Sequence, residues 1–170
     1  MKKLVILGSA CGVGKSTIID ELNKENILDN YICIDCDEVL NWLEYKGTDK
    51  EDKFYEDVIA EAVRMANDKN LFFVSCMNPY DFYGKLNIPQ EITATFLIGM
   101  TCSDEEITRR LKSRPQDRMC GSNEFIAGQI EYNNWFKKNS GKFQLYIDNT
   151  DMTVGETVKK ISKFIKSIEI

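Results

Sequence analysis

A short glycine-containing segment near the start of the chain constrains the fold more than any other feature. Residues 12–17 read Gly-Val-Gly-Lys-Ser-Thr, and they follow a continuous apolar run at residues 4–7. An apolar run without alternation is typical of a strand covered on both faces in a parallel sheet, and we expect this strand to be the central one. Apolar residues then recur at helical spacing, which predicts a helix over about residues 15–25. The sequence therefore predicts a strand, a loop and a helix in that order.

The loop has the composition of a segment that binds a phosphate chain. Successive backbone N–H groups, the positive end of a helix and one ammonium group together hold phosphates well. Glycines let the loop curl around a β-phosphate, Lys15 can reach the β and γ oxygens, and Ser16 can ligate Mg²⁺. Thr17 is expected to face the α-phosphate. The predicted nucleotide-binding residues of this loop are Gly12, Val13, Gly14, Lys15, Ser16 and Thr17.

The loop departs from the G-x-x-x-x-G-K-S/T pattern at its first position. Ser9 occupies that position, and Gly8 stands one residue earlier. We therefore expect the entry of the loop to be shaped differently. The alternative is a glycine-rich turn that begins an ordinary helix, but the lysine and the serine in this context favour phosphate binding.

The composition favours one folded domain and excludes several kinds of chemistry. The 170 residues are 43% hydrophobic, which predicts a single domain that spans residues 1–170. The chain contains no histidine, so histidine bases, Ser-His-Asp triads and histidine zinc sites are excluded. Proton transfer must depend on carboxylates, lysine, tyrosine or cysteine.

Charge, apolar runs and cysteines narrow the expected partners and location. The net charge is −5, with 22 basic and 27 acidic side chains, so generic nucleic-acid binding is not expected. No apolar run approaches the roughly 20 residues of a membrane span, and no membrane partner is expected. Six cysteines in a chain without an export signal favour a reducing compartment, so we expect the protein in the cytoplasm. Cys33 and Cys36 are interpreted as structural thiols, because in a strand their side chains point to opposite faces.

Strand and helix patterns alternate along the whole chain. The predicted strands are residues 4–7, 31–34, 71–74, 95–98 and 143–147, and the predicted helices are residues 15–25, 38–46, 49–68, 103–113, 125–136 and 153–168. Capping-box spacing begins three of the helices, at Thr48 and Glu51, Ser103 and Glu106, and Thr153 and Glu156. The inner face of the third helix is expected to carry Val58, Ile59, Ala62 and Met65. This order predicts a three-layer α/β fold with a five-stranded, mainly parallel sheet.

Three segments together resemble the group of P-loop small-molecule and nucleotide kinases. They are residues 4–17, the strand end Ile34-Asp35-Cys36-Asp37, and the arginines after the fourth strand. The group includes shikimate, gluconate and nucleoside monophosphate kinases and chloramphenicol phosphotransferase, and the resemblance covers the whole order of elements. It implies a P-loop NTPase fold, ATP and Mg²⁺ as cofactors, and phosphoryl transfer to a small acceptor. Its motifs indicate the superfamily and not the substrate, since the acceptor site varies most.

The two aspartates at the end of the second strand are candidates for the chemistry. They are similar to the Asp-x-Asp of shikimate kinases, whose carboxylates serve Mg²⁺ and the acceptor hydroxyl. Alternate residues of a strand point the same way, so both carboxylates are expected to face one cleft. Asp37 is predicted to orient and deprotonate the acceptor, and Asp35 to hold metal-bound water. The alternative is that both end the strand and that Asp37 caps the following helix.

Arginines after the fourth strand resemble the lid of such kinases, here about residues 110–122. Arg114 and Arg118 are predicted to act in catalysis, and Arg110 to contact the nucleotide. Arg110 and Arg114 have i, i+4 spacing and are expected to share a helix face. A solvated basic face paired with Glu105, Glu106 and Asp117 is the alternative, and it is preferred for Arg109.

The acceptor is expected to carry little charge. Arg64 is the only arginine between Asp37 and Glu91, whereas a nucleoside monophosphate would require basic clamps. A nucleoside, a sugar or another hydroxyl compound is therefore favoured, although a nucleotide stays open. The alternative function is a P-loop ATPase or nucleotide-sensing switch without an acceptor. No Asn-Lys-x-Asp motif and no aspartate at the end of the third strand are present, and the oligomeric state stays open.

Overall fold

A five-stranded parallel sheet forms the centre of the fold. The computed structural model describes residues 2–77, 87–115 and 120–169. The strands are β1 (Lys2–Gly8), β2 (Tyr31–Asp35), β3 (Asn70–Ser75), β4 (Ile92–Thr101) and β5 (Leu145–Asp148). Their order in the sheet is β2-β3-β1-β4-β5, and all four pairings are parallel. The predicted fold class and the central place of the first strand are confirmed.

The register of the three inner strands aligns their carboxyl ends. Gly8 of β1 lies opposite Ser75 of β3 and Gly99 of β4. The loops that follow β1 and β3 therefore leave the sheet side by side. This edge is where ligands bind in open α/β sheets.

Six helices lie around the sheet in the described part of the chain. They are α1 (Lys15–Lys24), α2 (Cys36–Val39), α3 (Phe54–Ala66), α4 (Asp104–Lys112), α5 (Asn123–Lys138) and α6 (Val154–Ile168). One core joins Val5 and Leu7 to α1, α4 and α6, and a second core joins Leu4 and Ile6 to α3. The alternate residues of β1 thus pack against helices on opposite faces, which is the predicted three-layer arrangement. No helix in the described part of the chain is long and apolar enough to span a membrane.

Serine or threonine side chains cap the first turns of α4, α5 and α6. Thr153 and Glu156 form a complete capping box at the start of α6. At α4, Ser103 accepts a hydrogen bond from the N–H of Glu106, but the Glu106 carboxylate binds arginines instead of completing the box. Ser122 caps α5 by accepting from the N–H of Phe125.

The predicted helix over residues 38–46 is wrong. Helix α2 ends at Val39, Leu40 is extended, and a 3-10 turn follows at Trp42–Glu44. The side chain of Asn41 accepts from the N–H of Leu43, at 3.0 Å, and begins this separate turn. Asparagine competes in this way with helical hydrogen bonds, and the apolar spacing alone did not reveal it.

The third helix is shorter than predicted over residues 49–68, because it begins at Phe54. The Thr48 hydroxyl donates to the carbonyl of Tyr45, and the Glu51 carboxylate accepts from the N–H of Gly47. These two residues therefore close a turn, and their predicted capping box is wrong. Val58, Ile59 and Ala62 are buried as expected, whereas Met65 is 45% exposed and the inner positions fall to Val63 and Ala66.

We predict that Gly99→Ala destabilises the fold, because an added Cβ would lie 2.8 Å from the ring of Phe143. That ring is buried and stacked on Phe136, so it has little room to move. A loss of about 1–3 kcal/mol in the free energy of unfolding is typical of such overpacking. Gly128→Ala in α5 is the matched control, since its added Cβ meets nothing within 4 Å. Denaturant unfolding measures both, and a Gly99→Ala variant as stable as the wild type would contradict this packing.

Candidate active site

The loop between β1 and α1 is shaped to present backbone N–H groups. Gly12 and Gly14 have φ values of 88° and 113°, a region that side chains disfavour. Gly14 is the N-cap of α1 and makes no side-chain cap, in contrast to the Ser or Thr caps of α4, α5 and α6. The first N–H groups of an uncapped helix have no intrahelical acceptor. This end of α1 therefore fits an anion such as a phosphate.

Lys15 is buried and turned back onto the entry of its own loop. Its Nζ donates to the carbonyls of Ser9, at 2.9 Å, and Ala10, at 3.0 Å, and to the Ser9 hydroxyl, at 3.2 Å. A glycine at position 9 would lack that third acceptor. The loop entry therefore differs from the usual pattern in that the hydroxyl of Ser9 helps to hold Lys15.

Two side chains from distant parts of the chain bind the other half of the loop. The Arg110 Nη1 donates to the carbonyl of Val13 at 2.7 Å and to that of Gly12 at 3.3 Å. The Asn149 Nδ2 donates to the same Val13 carbonyl at 3.0 Å. The Arg110 Nε is held in turn by Glu106, at 2.8 Å. Arg110 thus lies against the loop, where the sequence predicted a nucleotide contact.

A pocket of about 220 Å³ opens beside this half of the loop. It is lined by Val13, Gly14, Thr17, Ile18, Arg110, Asn149, Met152, Val154 and Thr157. The Oδ1 of Asn149 is buried and has no hydrogen-bond partner among the described residues. Apolar side chains beside one guanidinium and one amide could hold a flat, partly polar group next to the loop.

Ser16 and Asp35 come together on the other side of Lys15. The Ser16 hydroxyl donates to the Asp35 Oδ2 at 3.4 Å. Burial raises the pKa of the Asp35 carboxyl above its ordinary value, and the Lys15 ammonium acts in the opposite direction. A hydroxyl and a carboxylate are oxygen ligands of the kind that Mg²⁺ takes, so these two residues could hold it together with phosphate oxygens.

Asp37 lies in the first turn of α2 and not in a strand. The expected strand alternation of the two carboxylates is therefore wrong, because β2 ends at Asp35. The alternative, in which Asp37 caps the following helix, is wrong as well. The N-cap is Asp35, whose Oδ1 accepts from the N–H of Asp37 at 3.2 Å. Asp37 itself is exposed, and its negative charge raises the pKa of the thiols of Cys36 and Cys76.

Arg114 lies next to the phosphate loop, but it is not part of α4. The helix ends at Lys112, so the expected shared helix face of Arg110 and Arg114 is wrong. The N–H of Arg114 donates to the carbonyl of Leu111. The positive charge of Arg114 acts to lower the pKa of the thiol of Cys11 in the loop. Arg118 lies outside the described residues. Arg109 is 68% exposed and bonds to Glu106, as the solvated alternative predicts.

Most of the chain matches the sequence model of a known protein family. The model AAA_18, described as an AAA domain, matches residues 5–130. The chain belongs to this AAA domain family. No curated protein sequence matches it.

Solved structures share the fold of this AAA domain over nearly their whole length. The tunicamycin resistance protein of Deinococcus radiodurans has a TM-score of 0.65 at 14% identity, covering 97% of this chain and 96% of that one. A gluconokinase from Sinorhizobium meliloti 1021 has 0.64 at 15%, covering 98% and 93%. A shikimate kinase from Bacteroides thetaiotaomicron has 0.63 at 12%, covering 97% and 98%. These matches confirm, at the level of the fold, the resemblance to P-loop kinases.

Two features of the AAA domain's site were not predicted. The first is the contact of Asn149, which directly follows β5, with the carbonyl of Val13. Its position after the last strand is the one sequence signal that could have indicated this contact. Cys11 and Cys76 place their sulfur atoms 3.3 Å apart, 65 residues apart in sequence. Cys33 and Cys36 are buried in opposite cores, as expected of structural thiols. No group of three or more Cys, Asp or Glu residues that could hold a metal occurs in the part of the chain described.

We predict that Glu106→Gln lowers stability at neutral pH but not in acid. Hydrogen bonds from Arg109 and then Arg110 lower the pKa of Glu106 from 4.5 to about 2. The stabilisation by the folded pair is therefore complete above about pH 4.5 and is lost as the pH falls toward 2. Because Arg109 is exposed, we expect only about 1 kcal/mol.

Unfolding free energies of wild type and variant from pH 7 to pH 2 measure this effect. Glu105→Gln removes the same charge from an exposed neighbour and should leave stability nearly unchanged at every pH. A difference between wild type and Glu106→Gln that does not shrink in acid would contradict the ion-pair assignment.

Proposed function

We propose that this chain is an ATP- and Mg²⁺-dependent kinase that transfers a phosphoryl group to a small, weakly charged acceptor. The observation that carries this proposal is the junction of three groups at the carboxyl end of β1. These are the uncapped helix start at Gly14, the buried ammonium of Lys15, and the Ser16–Asp35 pair. The fold shared with a gluconokinase and a shikimate kinase supports phosphoryl transfer as the reaction.

The donor nucleotide is proposed to lie along the phosphate loop. Its phosphates would accept hydrogen bonds from the N–H groups at the start of α1, and Lys15 would exchange its carbonyl partners for phosphate oxygens. The pocket beside Arg110 and Asn149 would then receive the base. Gly12, Val13 and Thr17 complete the proposed contacts.

Ser16 and Asp35 would hold Mg²⁺. When bound, the ion neutralises charge on the β- and γ-phosphate oxygens. The proximity of a cation would also favour the ionised Asp35 against the burial that now raises its pKa. The chain therefore provides a carboxylate in the environment where a metal ion would stabilise it.

Asp37 is the proposed base for the acceptor hydroxyl. It is exposed and lies two residues beyond Asp35, the residue assigned to the metal. The carboxylate of Asp37 does not cap the helix, because Asp35 performs that role. Arg114 and Arg118 are proposed to stabilise charge on the transferring group.

Among the described residues, the acceptor side provides few groups that would bind an anion. Arg64 lies in α3, is 73% exposed, and has its guanidinium bonded to Glu61. The charged groups that act on Asp35 are the acidic Asp37 and Glu38 and the cation Lys15, which is proposed to bind the phosphates of ATP. This environment favours a nucleoside, a sugar or another neutral hydroxyl compound over a substrate that carries a phosphate.

The proposal is tested by a phosphoryl-transfer screen with ATP, Mg²⁺ and a library of nucleosides, nucleotides, sugars and antibiotics. The kinase proposal predicts transfer to one neutral hydroxyl class well above the rate of ATP hydrolysis. Slow hydrolysis that no acceptor stimulates would favour the alternative, a P-loop ATPase or nucleotide-sensing switch.

We predict that Asp37→Asn reduces transfer far more than it reduces hydrolysis. The change removes the anionic base but keeps the N–H that Asp35 caps, so stability should barely change. Loss of a positioned base typically lowers a rate by about 10²–10⁴, and water needs no acceptor contact. Both reactions are measured on one preparation, with Glu38→Gln as the exposed neighbouring control. Equal small effects on both reactions would remove Asp37 from the proposed chemistry.

A further inference from the structure

Two thiols meet between the phosphate loop and the end of β3. Cys11 lies in the loop, and Cys76 directly follows β3. Their sulfur atoms are 3.3 Å apart, whereas a disulfide bond needs about 2.0 Å. The gap to be closed is therefore little more than an ångström.

One helix holds the backbones of both cysteines. The Gln129 Oε1 accepts from the N–H of Cys11 at 2.8 Å, and the Tyr132 hydroxyl donates to the carbonyl of Cys76 at 2.8 Å. Gln129 and Tyr132 are three residues apart in α5 and so share a helix face. The sheet register adds a second support, because Gly8 and Ser75 lie opposite each other just before the two loops. The two thiols are thus positioned by the same rigid scaffold.

The environment of this pair favours a reactive thiolate at Cys76. The hydrogen bond from Cys11 and then the Lys15 ammonium lower the pKa of Cys76 to about 6, against burial and the Asp37 charge, which raise it. The same hydrogen bond raises the pKa of Cys11, although Lys15 and Arg114 act in the opposite direction. The pair therefore shares one proton at neutral pH, and either sulfur atom could be the donor of the hydrogen bond. A thiolate, and not a thiol, is the reactive form of cysteine.

The three buried cysteines offer a contrast. Burial raises the pKa of Cys33 and Cys36 to about 12 and that of Cys102 to about 11. Cys76 is exposed to solvent and Cys11 is half-buried, so a small oxidant can reach the pair. Reactivity and access thus coincide at Cys76.

We propose that Cys11 and Cys76 are an oxidation site at which a peroxide closes a disulfide between the phosphate loop and β3, and that this bridge weakens ATP binding. The second half rests on the proposed function, because it assumes that ATP occupies the loop. The disulfide itself depends only on the geometry of the two thiols.

The chemistry balances with hydrogen peroxide as the oxidant. The Cys76 thiolate attacks one peroxide oxygen, the O–O bond breaks, and sulfenic acid forms with the release of hydroxide. The Cys11 sulfur then attacks the Cys76 sulfur, loses its proton, and displaces the sulfenic oxygen as water. The thiolate and the thiol lose two electrons in total, and one peroxide becomes one water and one hydroxide, which takes a proton from solvent.

The bridge would act on the loop that presents the phosphate-binding groups. Closing the gap draws Cys11 toward β3, and Cys11 lies between the carbonyl of Ala10, which binds Lys15, and Gly12. A shift of about an ångström weakens N–H bonds to a phosphate steeply. We expect ATP affinity to fall about tenfold, within the range typical of coupling between two sites.

Peptide mapping and ATP titration of the full chain test the proposal. The reduced protein is treated with hydrogen peroxide, remaining thiols are alkylated, and a digest without reductant is analysed by mass spectrometry. We expect a cross-linked pair of peptides that contain Cys11 and Cys76, and a dissociation constant for ATP about tenfold higher. A dithiol reductant should restore both.

Matched variants separate the pair from other cysteines. Cys11→Ser and Cys76→Ser each lack one of the two thiols and should form no such cross-link. Peroxide should therefore not cause the tenfold loss of ATP affinity in either variant. Cys120→Ser keeps the pair and should respond as the wild type does.

Three outcomes would overturn the proposal or a part of it. Peroxide that leaves both thiols intact, or oxidises Cys76 without a cross-link, contradicts the disulfide. A cross-link with unchanged ATP affinity contradicts the effect on binding. A reduced protein that binds no ATP contradicts the proposed function and the predicted loss of affinity with it, while the cross-linked peptide still decides whether the disulfide forms.

Discussion

Burial of β1 between β3 and β4 is the constraint on which the other features of the site depend. Residues 4–7 are fully buried, and their alternate side chains enter the two opposite cores. Because β1 is central, its loop emerges in the middle of the carboxyl edge of the sheet. Asp35 at the end of β2, Cys76 after β3 and Asn149 after β5 therefore all reach toward one loop. A single hydrophobic segment thus determines which distant residues can meet.

Most side chains that bind the loop donate to its carbonyl groups, and Gln129, which accepts from the N–H of Cys11, is an exception. Lys15 donates to Ser9 and Ala10, and Arg110 and Asn149 donate to Val13. With carbonyls bound on the protein side, the start of α1 keeps N–H groups for an external anion. Glu106 balances the charge of Arg110 on the outer side. The loop is therefore held in a shape suited to phosphate by contacts that do not themselves require phosphate.

Local patterns predicted the strands, the glycine-containing loop before α1 and the caps at Ser103 and Thr153, because each depends on neighbouring residues. The central position of β1 was predicted from its continuous apolar run, which is typical of a strand covered on both faces. The helix over residues 38–46 failed because the side chain of Asn41 begins a separate turn. The contacts of Asn149 with Val13 and of Cys11 with Cys76 depend on the strand order, which joins residues 136 and 65 positions apart. No periodicity within the sequence encodes those pairings, so they required the structure.

The central claim is that the Lys15 ammonium acts on the phosphates of ATP. Steady-state ATP turnover of Lys15→Ala, compared with Lys24→Ala at the exposed end of the same helix, tests it most directly. Thermal unfolding must first establish that both variants are folded. The account predicts that Lys15→Ala loses roughly 10² or more in rate, as removal of a preorganised donor does, while Lys24→Ala behaves as the wild type. Near wild-type turnover by a folded Lys15→Ala variant would contradict it.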